Sequence, residues 1–378
     1  MATFSGLSVK AEDIKEFIIH IIKMNIANVS IGKATYPVTI WGHKGIGKTA
    51  ILRQLVTEGI VEDLIYIPLA QVEEMGDLLG IPEPDVDPVS GKRVTVVRPP
   101  HWVPTKDVVG LVVLDDFNRA DIRIIKGVMQ LLQTAQMLTW KLPPRYTVVL
   151  TANPDDKDYL VTSIDPAMYT RMFNITMLVD PMSWLRWADR NNIDRRILSF
   201  IAKAGRDFLS PDNADRTCPR TWEMFSHAIC NIEDSKQLTI SKSVEMIKLL
   251  GYGVLDSIPV DTFIQFILGE LDDIVEPEVI VETYSQNADV RTKILSTMSK
   301  SPPRTDILYA ILSRLVAYIA KLSQKDISQN IVKNVILLLE EDTIPYDMKT
   351  VIVQELVKGP ISPFLVSGKL VDQIGSVF

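Results

Sequence analysis

The segment Val38-Thr39-Ile40-Trp41 passes without a break into Gly42-His43-Lys44-Gly45-Ile46-Gly47-Lys48-Thr49, and a helix-like stretch from Ala50 to Val56 follows. Three glycines within residues 42–47 point to backbone turns that residues with side chains resist. The run before them reads as a buried strand and the run after them as a helix. Together they match G-x-x-x-x-G-K-[ST] in its strand–loop–helix setting. In such a loop, glycines let backbone N–H groups turn inward around phosphate oxygens, and the helix N-terminus adds a favourable dipole. Gly42, His43, Lys44, Gly45, Ile46, Gly47, Lys48, Thr49 and Ala50 are therefore the candidate phosphate cradle. Lys48 would place a point charge on the β and γ phosphates, and Thr49 would offer its hydroxyl to magnesium.

The pattern around this loop fits an α/β core. Short apolar runs at Val38–Trp41, Leu64–Leu69, Leu111–Leu114, Tyr146–Thr151 and Phe173–Leu178 alternate with helix-length segments, which predicts a central parallel sheet of five strands covered on both faces. Before it, Ile14, Phe17, Ile18, Ile21 and Ile22 recur at helical spacing over residues 11–28. After Pro181 the strand pattern stops. Ile307, Ile311, Leu315 and Ile319 form an apolar stripe in that second half, and Ile331, Val335 and Leu338 another; both read as core. The expected organisation is an N-terminal helical segment (residues 1–35), a P-loop nucleotide-binding core (36–180), a helical lid (181–239) and an all-helical C-terminal domain (240–378).

A phosphate loop needs an acidic partner at the end of a neighbouring buried strand. Leu111-Val112-Val113-Leu114-Asp115-Asp116 supplies one. Asp115 would emerge at the strand's carboxyl end to hold the hydration shell of magnesium, and Asp116 would polarise an attacking water.

At this point the chain resembles the AAA+ ATPases, and within them the MoxR group. Asp115-Asp116-Phe117-Asn118-Arg119-Ala120 is similar to that group's Asp-Glu-x-Asn-Arg-Ala signature. Met75-Gly76-Asp77-Leu78-Leu79-Gly80 resembles its Asp-Leu-x-Gly segment, and Leu150-Thr151-Ala152-Asn153-Pro154 its sensor-one strand. The stretch Ile164–Phe173 is similar to its arginine-bearing helix end, and Cys218-Pro219-Arg220-Thr221 to its sensor-two Pro-Arg. The resemblance implies an ATPase using ATP and Mg2+. In it Asn153 orients the water or contacts the γ-phosphate, Arg171 acts on the nucleotide of an adjacent subunit, and Arg220 serves as sensor two, for its own site or a neighbour's. Arg119 would couple subunits. It further implies a homo-oligomeric ring, a hexamer, that remodels a partner protein, often one with a von Willebrand-type domain. One departure stands out: the group has Glu where this chain has Asp116, one methylene shorter, so hydrolysis is expected to suffer more than binding.

Two inserts stand out. Val89-Ser90-Gly91-Lys92 resembles a hairpin turn followed by a strand-like Arg93–Val97, and a second hairpin is expected over Met137–Val149 with Trp140 near its tip. The resemblance implies that both face substrate, through Lys92, Arg93, Trp140 and Lys141; a solvated loop reads as well. Two cysteines and four scattered histidines give neither a disulfide framework nor zinc-ligand spacing. No leader peptide or membrane-length apolar run is legible, so a cytoplasmic location is expected. A net charge of −7 disfavours nucleic acid as the partner, since neutralising phosphates takes a local excess of Lys and Arg. A DNA-acting motor with a basic inner surface stays open as an alternative, as does a slow or non-hydrolysing nucleotide switch.

Overall fold

The computed structural model describes residues 7–154, 162, 164–211, 214–232, 240–269 and 271–365, without the side chains of 240–242. The chain divides into two compact units, Met1–Leu178 and Val179–Phe378. The expected boundary at residue 239 lies outside the described residues.

The first unit is built on strands β1 (Ser8–Val9), β2 (Val38–Trp41), β3 (Asp63–Pro68), β6 (Gly110–Asp115), β7 (Tyr146–Ala152) and β8 (Phe173–Met177), with a separate pair β4 (Ile81–Val86) and β5 (Arg93–Arg98). The large sheet runs β1-β8-β2-β7-β6-β3, and all its pairings are parallel. The five expected strands are present, but the sheet has six. Ser8 and Val9 add an edge by pairing with Thr176 and Met177, and two residues are too few to carry a periodic signal.

Alternation along each strand explains how both faces are covered. Val112 and Leu114 belong to a cluster with Ile124, Ile125, Val128 and Leu131. Leu111 and Val113, equally buried, point the other way. On that second face lies helix α1 (Ala11–Ser30), which packs on β7, β8 and helix α2 (Lys48–Thr57) and buries Ile14, Ile18, Ile21 and Ile22.

The strand order matters for the site. β2 lies between β7 and β8, so the chain leaves β2 for the far edge at β3, returns through β6 and β7, and then passes β2 to reach β8. Connections therefore diverge on either side of β2, and the crevice this leaves at the strands' carboxyl ends is where open parallel sheets take ligands. The register aligns those ends: Trp41 is beside Ala152, Leu114 beside Leu150, and Pro68 beside Asp115.

The second unit is helical throughout its described residues. Its core is one cluster reaching from Met182 to Leu365. At its centre the helix Thr305–Lys321 buries side chains all round, including Ile307, Ile311, Leu315 and Ile319, the marks of a core helix. The helices Pro181–Arg190, Arg195–Ala204 and Tyr346–Val357 pack against it. No helix among the described residues is long and apolar enough to cross a membrane.

Candidate active site

The loop between β2 and α2 has the backbone its glycines foretold. Gly42, Gly45 and Gly47 all adopt positive φ. At Gly42 the space is closed as well: a Cβ there would come within 2.6 Å of the Ile46 side chain and 3.0 Å of the Met177 carbonyl oxygen. Only a hydrogen fits, so the loop holds a tight path that a larger residue would push open. His43, Lys44 and Ala50 are exposed, whereas Ile46 is buried.

Lys48 stands on the first turn of α2 and is 8% exposed. Its Nζ donates to the carbonyls of Gly42 at 2.6 Å and His43 at 2.9 Å, and to Asn153 Oδ1 at 3.0 Å. The ammonium is thus fixed at the mouth of the loop, where its charge faces whatever the loop encloses.

Asp115, at the end of β6, receives three hydroxyls. Thr49 and Thr151 both donate to Oδ1, at 2.7 and 2.6 Å, and Tyr66 donates to Oδ2 at 2.7 Å. Burial alone would raise its carboxyl, but the hydrogen bonds from Thr151, Tyr66 and Thr49, with the charge of Lys48, outweigh it and hold Asp115 below the usual carboxylate range. Tyr66 answers in the opposite sense. Burial, the bond to Asp115 and the two aspartate charges push its hydroxyl up to about 12.

Asp116 has φ 51°, a left-handed conformation that Asp tolerates better than most residues. Its N–H donates to Thr151 Oγ1 at 3.0 Å. Its carboxylate accepts from Asn153 Nδ2 at 3.0 Å and lies 3.6 Å from the Arg119 guanidinium. Asn153 therefore uses both ends of one amide, accepting from Lys48 and donating to Asp116. Its own backbone is gripped in turn: Asn153 N–H donates to Asn118 Oδ1 at 3.0 Å, and Asn118 Nδ2 donates to the Asn153 carbonyl at 2.7 Å. Asn118 is 1% exposed, so this pair ties the end of β7 to the turn after β6.

The structure thus brings together Lys48, Thr49, Asp115, Asp116 and Asn153 in one hydrogen-bonded group. Tyr66, Asn118 and Thr151 join it without having been assigned roles from sequence. A signal existed for two of them. Thr151 is a polar residue next to the end of an apolar strand, and Asn118 is a polar residue just past another; buried polar groups need partners. Tyr66 carried no such mark, being an aromatic residue in a β-strand.

Arg171 is held by other partners. Arg171, half-buried after the short helix Pro166–Tyr169, donates to the Ala167 carbonyl at 2.5 Å. With the Gln133 amide turned so that its oxygen faces the guanidinium, that oxygen also accepts from Arg171, at 2.5 and 3.2 Å. These bonds run to its own helix and to Gln133, not to the Lys48 group. Arg220 belongs to the second unit and stands exposed in the first turn of the helix Pro219–Ile229.

The first insert is the expected hairpin. Asp87 organises its turn by accepting from the N–H groups of Val89 and Ser90, and Gly80 seals its base where a Cβ would strike the Arg98 carbonyl. Lys92 and Arg93 are exposed on it. The second insert is a correction. Its turn is confined to residues 135–142, closed by Met137 N–H on the Trp140 carbonyl and Leu142 N–H on that of Ala135, and from Tyr146 onward the chain is already β7. Trp140 is buried, donates to the Leu78 carbonyl at 2.8 Å and meets Trp102 edge-on at 5.2 Å. It anchors the turn and presents nothing to a partner; Lys141 alone of the expected pair is exposed.

No family model matches the chain, and no curated relative does. Among solved structures it is similar to the RuvB Holliday junction branch migration motor of Thermotoga maritima, 13% identical over 77% of this chain and 76% of that one, with a TM-score of 0.38. A point mutant of that protein is 12% identical over 93% of this chain and 87% of its own, at 0.39. A candidate ATPase from Cytophaga hutchinsonii is 14% identical over 69% of this chain and 97% of its own, at 0.30. Likeness at this level says nothing of function. The functional reading rests on the side chains at the strand ends.

Those side chains fit a magnesium nucleotide by their chemistry. The loop is a closed turn with a fixed ammonium at its mouth, and Thr49 and Asp115 offer the hard oxygen atoms that suit Mg2+.

Proposed function

We propose that the chain is an ATPase of the AAA+ type, similar to the MoxR group, that binds ATP with Mg2+ at the carboxyl ends of β2, β6 and β7 and hydrolyses it. The observation that carries this reading is the Asn153 amide. It joins the Lys48 ammonium, 105 positions earlier in the chain, to the Asp116 carboxylate, while Asp115 is bonded to Thr49. A phosphate loop, a metal-side carboxylate, a water-side carboxylate and a γ-phosphate sensor are the parts such a reaction needs, and they are adjacent.

Each residue then has a task. Residues 42–50 enclose the phosphates, with Lys48 offsetting their charge. Thr49 and Asp115 would hold the metal, which when bound would offset charge developing on the phosphate oxygens. Asp116 accepts the hydrogen bond of an attacking water, and Asn153 keeps that carboxylate and Lys48 in register. Arg171 serves a neighbouring subunit of a ring, where a planar guanidinium offsets transition-state charge, and Arg220 acts as sensor two, for its own nucleotide or a neighbour's. The ring, a hexamer, would act on a partner protein; Lys92, Arg93 and Lys141 are its candidate contacts.

Calorimetry and steady-state turnover test the reading. Lys48→Ala should weaken Mg·ATP binding by about 10- to 100-fold, the worth of a charge-assisted hydrogen bond, whereas Asn153→Ala should keep binding and lose turnover. Equal turnover for Lys48→Ala and the parent protein would end the hydrolysis reading. A nucleotide switch has one observation in its favour: the short Asp116 carboxylate is already engaged by Asn153 and Arg119. Tight binding with no turnover would select it.

A further inference from the structure

Three of the lone-pair directions of Asp115 are filled, and one of the three donors lies outside every motif in the sequence. A carboxylate offers about four such directions. Thr49 and Thr151 take both on Oδ1, and the Tyr66 hydroxyl takes one on Oδ2. The Tyr66 ring is held for this from two sides. Its strand is in register with β6, Tyr66 beside Val113 and Pro68 beside Asp115. The Arg53 guanidinium, from the helix that carries Lys48 and Thr49, lies 5.6 Å from the ring centroid. Although Tyr66 is 40% exposed, its hydroxyl is turned back to the carboxylate.

We propose that Tyr66 is a positioning residue that sets which divalent cation the site accepts. With three directions occupied, Asp115 keeps one, enough to accept a hydrogen bond from a single water of a hydrated cation and too few for a bidentate grip. Mg2+ gives up its waters reluctantly and is content with such an arrangement, whereas Ca2+ takes 6–8 oxygens and favours direct, often bidentate carboxylates. Removing the hydroxyl frees Oδ2 and releases the carboxylate to turn, which favours the larger ion. The inference rests on the Mg·ATP reading above and adds to it a residue and a selectivity that the loop motif does not contain.

Tyr66→Phe keeps the ring, its place in β3 and its contact with Arg53. Binding of ATP to the parent and the variant would be measured by calorimetry in Mg2+, in Ca2+ and in EDTA. The EDTA affinity should agree within about twofold, while the preference for Mg2+ over Ca2+ should fall by about 3- to 10-fold, the loss of one hydrogen bond to a charged group discounted for its exposure. An unchanged preference in a variant that binds ATP as the parent does would overturn the role of Tyr66 and leave the nucleotide reading intact. Failure of the parent itself to bind ATP in either metal would overturn both.

Discussion

Replacing Asn118 with Ala removes a side chain to which no task at phosphate or metal is assigned, yet it should damage both stability and site. The amide makes two bonds to the backbone of Asn153, accepting its N–H at 3.0 Å and donating to its carbonyl at 2.7 Å. Asn118 and Asn153 are 1% and 2% exposed, so water cannot easily replace either bond. A buried backbone group stripped of its partner costs about 1–3 kcal/mol, and at about 1.5 kcal/mol each, in the lower half of that range, the pair costs about 3 kcal/mol. For a unit the size of Met1–Leu178, that is a fall in melting temperature of about 6–12 °C. Hydrogen exchange read by mass spectrometry localises the effect: the Asn153 amide should lose protection, while the amide of Ile51, bonded to the Gly47 carbonyl, keeps it. ATP turnover should drop further than binding, because the Asn153 side chain between Lys48 and Asp116 is left on a loosened backbone. A melting temperature within about 1 °C of the parent and an unchanged exchange rate at Asn153 would refute the view that Asn118 ties β6 to β7.

Two further outcomes follow from the same geometry. Because Asp115 is held below its ordinary value of 3.8, its charged form stabilises the fold at pH above that value and the contribution disappears as pH falls through the lower folded value. Urea unfolding of the parent and of Asp115→Asn should therefore differ at pH 6 and draw together as pH falls below 3.8; a constant gap would contradict the assignment. Trp140→Ala should cost about 3–5 kcal/mol, as the loss of a buried aromatic does, while Lys141→Ala, at an exposed site, should stay within about 0.5 kcal/mol. Equal and small effects in chemical denaturation would restore Trp140 to the surface.

Much of the glycine-rich loop was legible because its constraints are local. Glycines at 42, 45 and 47 have no side chain to oppose positive φ, and a strand buried on both faces must read as an apolar run. Val38–Trp41 and the run ending at Asp115 could hardly be anything else. Ser8–Val9 escaped for the converse reason: two residues gain strand geometry only from the partner beside them. Trp140 was misplaced because its neighbours Lys141, Pro143 and Pro144 look solvated, and nothing near it in sequence tells that Leu78 offers a carbonyl and Trp102 a ring.

Residue types and their spacing were enough to set the α/β class of the first half, the helical character of the second, and Lys48, Thr49, Asp115, Asp116 and Asn153 as the residues to watch. Tertiary structure alone decided that those five share one hydrogen-bonded group, and that Tyr66, Asn118 and Thr151 complete it. The physical reason lies in the register of the parallel strands. Hydrogen-bond partners must approach within about 3 Å, and only the lateral order β2-β7-β6-β3 brings Lys48, Asn153, Asp115 and Tyr66 to one rim of the sheet. Side-chain chemistry proposes such partners, and strand pairing chooses among them.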